Sequence, residues 1–108
     1  MSHDWSGQKR ETFETFAEMG EGVKLPRRAV IYYQFYAEDI DCNWQGVEKA
    51  LRAAGFTTER DEDEGLLTAA IGPIDVTPDA IWKEEKRATE AALPFDFIPD
   101  GWELVTEE

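Results

Sequence analysis

The 108 residues suffice for one domain with one core, and four Trp, six Phe and three Tyr exclude a disordered chain despite its charge. Eleven Lys and Arg stand against 24 Asp and Glu, a formal net charge of −13, and residues 1–36 balance at five of each sign, so the whole excess lies in 37–108. Such a surface repels phosphate backbones, which excludes direct nucleic-acid binding, and it steers toward a basic partner.

The first segment, WSGQKRETFETFAEMGEG, reads as a helix with Ser6 as N-cap and Phe13, Phe16 and Ala17 on one face. Gly20 and Gly22 stop it, and a connector containing Pro26 follows. RAVIYYQFYA is the clearest strand, dense in β-branched and aromatic residues. Alternation gives it an apolar face of Ala29, Ile31, Tyr33, Phe35 and Ala37. Val30, Tyr32, Gln34 and Tyr36 occupy the other face.

DCNWQGVEKALRAAGF reads as a helix capped by Asp41 and stopped by Gly55, with Trp44, Val47, Leu51 and Ala54 in one stripe. Gly46 inside it marks a close contact. TTERDEDEG is a short strand running into an acidic turn, and LLTAAIGPIDV returns as its hairpin partner, interrupted at Gly72-Pro73. Thr77 followed by Pro78 starts a last helix, which ends near Leu93 because Pro94 disfavours helical geometry before it. FDFIPDGWELV is a final, irregular strand.

The order is α, then β-α-β-β-α-β, which predicts an α+β, ferredoxin-like four-stranded antiparallel sheet with two helices on one face. Residues 1–25 supply the extra N-terminal helix and connector and residues 26–108 the ferredoxin-like unit, together one structural unit. The leading helix is expected against the sheet edge or over the otherwise open face bearing Tyr32 and Tyr36.

Catalytic equipment is sparse. His3 is the only histidine and sits near the end of the chain, leaving no general base for a Ser or Cys nucleophile. Cys42 is the only cysteine, so no internal disulfide forms, and its position near a helix start reads as small packing. DEDEG lacks the EF-hand register, because the required glycine position falls on Leu66. An RNA recognition motif would share the βαββαβ order, but LLTAAIG lacks the basic and aromatic residues needed for base stacking. No stretch approaches the roughly 18 apolar residues of a membrane span. The opening MSHDWSGQKRETF does not read as a secretory leader, and the expected location is the cytoplasm. No cofactor and no metal are expected. The alternatives left open are a small-molecule or other protein-binding domain, dimeric through the Tyr32/Tyr36 face, and a hydrolase built on paired carboxylates.

The closing Asp100-Gly101-Trp102, the entry LPRRAVIYYQFYAED into the first strand, and the helix end Gly55-Phe56 carry a resemblance. From about Phe13 to Trp102 the chain resembles the RraB family, regulators of ribonuclease E activity. The resemblance implies a ferredoxin-like fold and a cytoplasmic bacterial protein that binds the ribonuclease and changes its activity by protein contact. A basic, non-catalytic region of the nuclease is the partner that a −13 domain would attract. The acidic loop Asp61, Glu62, Asp63 and Glu64, with Glu84 and Glu85 nearby on the last helix, is the expected contact surface. Asp100 and Gly101 are read as a turn or bulge that re-aims the last strand, and Trp102 as packing beside Leu104.

Overall fold

The computed structural model describes residues 3–22, 24–39 and 41–105. The ends of the two expected ranges, residues 1–2 and 106–108, lie outside them. The elements run α1 (Trp5–Met19), β1 (Arg28–Ala37), α2 (Trp44–Ala53), β2 (Thr57–Asp61), β3 (Leu66–Asp75), α3 (Pro78–Ala92), a 3-10 turn (Leu93–Phe95) and β4 (Phe97–Val105). The sheet order is β2-β3-β1-β4 with every neighbour antiparallel, which is the ferredoxin-like arrangement.

Strand β1 is central because it is the longest apolar run and can be buried on its paired edges. Ala29, Ile31, Tyr33 and Phe35 face the helices and are buried, as alternation predicts. Val47 and Leu51 of α2, Ile81, Ala88 and Ala92 of α3, Leu67 and Ala69 of β3, and Phe97 of β4 complete the core. Each large side chain fully removed from water here stabilises the fold by roughly 1.5–3 kcal/mol. The hydroxyl that alternation forces into this layer has a partner: Tyr33 donates to the Ile81 carbonyl at 2.8 Å, fastening α3 to β1. Burial, with Glu85 and Glu84 nearby, pushes the Tyr33 phenol far above its ordinary range.

The helix boundaries follow capping chemistry. Thr77 caps α3 by accepting from the Ala80 amide at 3.1 Å, with Pro78 as its first residue. Asn43, not Asp41, caps α2, accepting from the Gly46 amide at 2.9 Å. Asp4, not Ser6, caps α1, accepting from the Gly7 amide at 2.9 Å. In both corrected cases a residue with a short acceptor side chain sits immediately before the first helical residue. Gly46 is needed for space, since a Cβ there would lie 2.7 Å from the Phe95 ring.

Strand β3 is not interrupted at Gly72-Pro73. The register with β1 passes from Ala29↔Ile74 to Ile31↔Ile71, so one extra β3 residue is absorbed as a bulge. Proline is tolerated because β2 pairs only with Leu66 to Ala70, leaving that end of β3 without a neighbour on its other side.

The leading helix does not cover Tyr32 and Tyr36. It packs against α3, in the helical layer, with a cleft between it and the β4 edge. The expected apolar stripe is only partly used: Phe16 packs against the core, but Phe13 is half-buried and Ala17 exposed, while Gly7, Gln8 and Thr12 are the buried positions.

Candidate functional site

Two surfaces carry unusual chemistry, one in the helical layer and one on the open face of the sheet.

In the helical layer, α1 meets α3 through polar side chains. Glu85 is 5% exposed, and its carboxylate accepts from Gln8 Nε2 at 2.8 Å and from the Thr12 hydroxyl. Gln8 Nε2 also reaches Thr89 Oγ1 at 3.1 Å, and the Thr89 hydroxyl donates to the Glu85 backbone carbonyl at 2.8 Å. His3 is hydrogen-bonded through Nε2 to Gln8 Oε1, and its ring meets Trp5 edge-on at 4.7 Å. Burial pushes the Glu85 carboxyl up from its ordinary value, against the opposing hydrogen bonds from Thr12 and Gln8. Among the described residues no buried side-chain polar atom lacks a partner, so this network is closed. Beside it, a cleft of about 370 Å³ is lined by α1, Glu85 and the β4 residues Ile98, Pro99, Gly101 and Trp102.

The Asp100-Gly101-Trp102 segment forms the far wall of that cleft. Pairing passes from Tyr33↔Trp102 to Phe35↔Pro99, which leaves one extra residue on β4 and makes a bulge. Gly101 sits at φ +106, a region that glycine adopts without the strain a side chain brings. The bulge keeps Trp102 and Leu104 inward, half-buried against the core, and turns Glu103 outward.

On the open face, cross-strand rows bring together residues far apart in sequence. Thr57, Ala70, Tyr32 and Glu103 form one row, and Asp61, Leu66, Tyr36 and Ile98 another. Glu59, Thr68 and Gln34 lie between them, and the Gln34 amide donates to Glu103 at 3.2 Å. Tyr36 and Leu66 are the large apolar side chains left most open, at 41% and 39% exposure. A shallow concavity of about 580 Å³ spans Tyr32, Leu66 and Thr68, with Glu59, Asp61, Glu62, Asp63 and Glu103 around one arginine, Arg60. That arginine is already engaged, at 2.7 Å from Glu48 and 3.0 Å from Glu62.

The expected loop Asp61 to Glu64 is exposed throughout, and Asp61 shapes it by accepting from the Glu64 amide at 3.2 Å. A second cleft places Glu62, Asp63 and Glu64 beside Glu38, Asp39 and Trp44. Glu84 and Glu85 do not join this surface, a correction to the sequence reading. Glu84 lies mostly covered on α3, paired with Arg87, and Glu85 is turned into the α1–α3 interface. Adjacent positions on a helix point about 100° apart, so a Glu-Glu pair seldom shares one surface.

The residues that sequence reasoning missed are Glu59 and Glu103, which join the loop, and Gln8 and Thr12, which hold Glu85. The first two were available from alternation, since Glu59 shares Asp61's face and Glu103 lies opposite in sense to Trp102 and Leu104. Gln8 and Thr12 fall at helical spacing, but an apolar-stripe rule overlooks a polar docking face.

Among the described residues no group of three or more His, Cys, Asp or Glu converges to hold a metal. Cys42 is half-buried, with its thiol 3.7 Å from the Asp96 carbonyl. No curated protein matches the chain. The sequence does match the family model RraB, described as Regulator of ribonuclease activity B, over residues 8–104. That span runs from Gln8 in the α1 contact to Leu104 beside the tryptophan, and the chain belongs to the RraB family.

Proposed function

We propose that this chain is a non-catalytic, cytoplasmic regulatory protein that binds ribonuclease E, or the degradosome assembly around it, and modulates RNA turnover. The family match over residues 8–104 is the observation that carries this reading. Charge supplies the physics: the acidic excess in residues 37–108 favours the basic, non-catalytic region of the nuclease over its RNA. Asp61, Glu62, Asp63 and Glu64 contact that region, since all four are exposed and project from a tight turn between two paired strands. Among the described residues no helix is long and apolar enough to cross a membrane.

Calorimetric titration against the non-catalytic C-terminal region of ribonuclease E from the same organism, at low and high salt, tests the assignment. Binding at micromolar affinity or tighter, weakened by salt, is expected. Replacing Glu62 and Asp63 by lysine should weaken it further, because these two side chains are exposed and neither accepts the Glu64 amide. An absence of binding at either salt concentration would overturn the partner.

A further inference from the structure

We propose that the open sheet face is the docking surface, and that its occupant is an extended protein segment bearing arginines four residues apart. The inference rests on the regulator reading and adds to it the surface and the chemistry recognised there.

Each of two cross-strand rows carries one tyrosine and one carboxylate, Tyr32 with Glu103 and Tyr36 with Asp61. The tyrosines are four residues apart on β1, about 13 Å at the usual strand rise. An extended segment lying along β1 has the same rise, so its residues i and i+4 meet the two rows in step. In the first row Tyr32 and Glu103 are direct neighbours, so one guanidinium stacks on the ring and pairs with the carboxylate. In the second row Leu66 separates Tyr36 from Asp61 by two strand spacings, about 10 Å, so the guanidinium there stacks on Tyr36 and Asp61 adds only its charge. Thr68 and Gln34 between the rows offer contact for the intervening residues, and Glu59 beside them adds a third carboxylate.

The same face disfavours other occupants. Five carboxylates surround it against one engaged arginine, so a second copy placed face to face would set like charges together. A nucleic acid meets the same repulsion through its phosphates. The helices pack on the opposite side, and Tyr36 and Leu66 are the large apolar side chains left exposed among the described residues.

The test uses the full chain and two kinds of probe: the basic ribonuclease E region, and synthetic peptides with either two arginines or two lysines at i and i+4. The wild-type chain should bind the arginine peptide several-fold more tightly than the lysine peptide. Tyr36→Ala and Glu103→Gln should each weaken binding of both the arginine peptide and the ribonuclease region, by about tenfold for the tyrosine. Near-ultraviolet circular dichroism confirms that each variant remains folded, and Glu14→Gln on the exposed side of α1 is the control that should change nothing. If the wild type binds the ribonuclease region but Tyr36→Ala and Glu103→Gln bind it equally well, the surface is overturned while the regulator reading survives. Tyrosine-dependent binding of the arginine peptide without binding of the ribonuclease region supports the surface and sinks the partner. Equal affinity for arginine and lysine peptides overturns the stacking assignment.

Discussion

Glutamate behaves in opposite ways on the two sides of this sheet. In the helical layer Glu85 is buried, accepts from Gln8 and Thr12, and holds a carboxyl pushed up from its ordinary value. On the open face Glu59 and Glu103 are exposed around Tyr32 and Tyr36. The difference teaches that net charge alone does not locate a docking surface. A carboxylate enclosed by its own fold organises structure, whereas one left in solvent beside an aromatic ring is free to meet a partner.

Adjacent β1 residues give the widest contrast. Phe35 is 0% exposed and faces the helices, so Phe35→Ala should cost about 3–5 kcal/mol, read as a fall in the midpoint of urea unfolding. Its neighbour Tyr36 faces outward, and Tyr36→Ala should cost only about 1 kcal/mol, from lost strand propensity and cross-strand contact with Leu66 and Ile98. Comparable losses at both positions would contradict the assignment of an outer face to Tyr36.

The α1–α3 contact should respond to smaller changes. Thr12→Val removes one donor to the buried Glu85 carboxylate and should cost about 1–3 kcal/mol, with faster amide exchange in α1 as the local readout. Because the folded chain holds Glu85 protonated at pH values where the unfolded chain does not, its favourable contribution is present below about 4.5 and is lost as pH rises through the raised folded value. His3 opposes that shift and Glu11 reinforces it. Glu85→Gln should therefore flatten the pH dependence of stability above 4.5, checked by denaturation at a series of pH values.

At the boundary of the two sides, Gly101→Ala should cost about 1–2 kcal/mol, because φ is +106 although a Cβ there would meet open space. Thermal denaturation measures this. A neutral result would mean that the bulge relaxes without strain.

Much of the fold was legible because the elements that organise it are locally unambiguous. The run Ala29 to Ala37 alternates cleanly, Thr77-Pro78 announces α3, and the βαββαβ order follows from the spacing of strands and helices. The position of α1 was less legible, because its docking face is Gly7, Gln8 and Thr12, residues with no periodic apolar signal. The course of β3 through Gly72-Pro73 was hidden for another reason: proline normally ends central pairing, and only the short reach of β2 permits it there. For the proposed docking surface, the loop Asp61 to Glu64 was apparent as a charge run. Alternation puts Glu59 and Glu103 on the open face, but their approach to the loop depended on register across four strands, which sets Glu103 opposite Tyr32, far from it in the chain.

The most direct test of the account is an amide chemical-shift map of the labelled chain titrated with the basic ribonuclease E region. The account predicts changes centred on Tyr32, Gln34, Tyr36, Leu66 and Glu103 and on the adjoining loop Asp61 to Glu64, with the α1–α3 contact unmoved. Changes centred instead on α1 and the cleft beside Trp102, with the open sheet face silent, would contradict it.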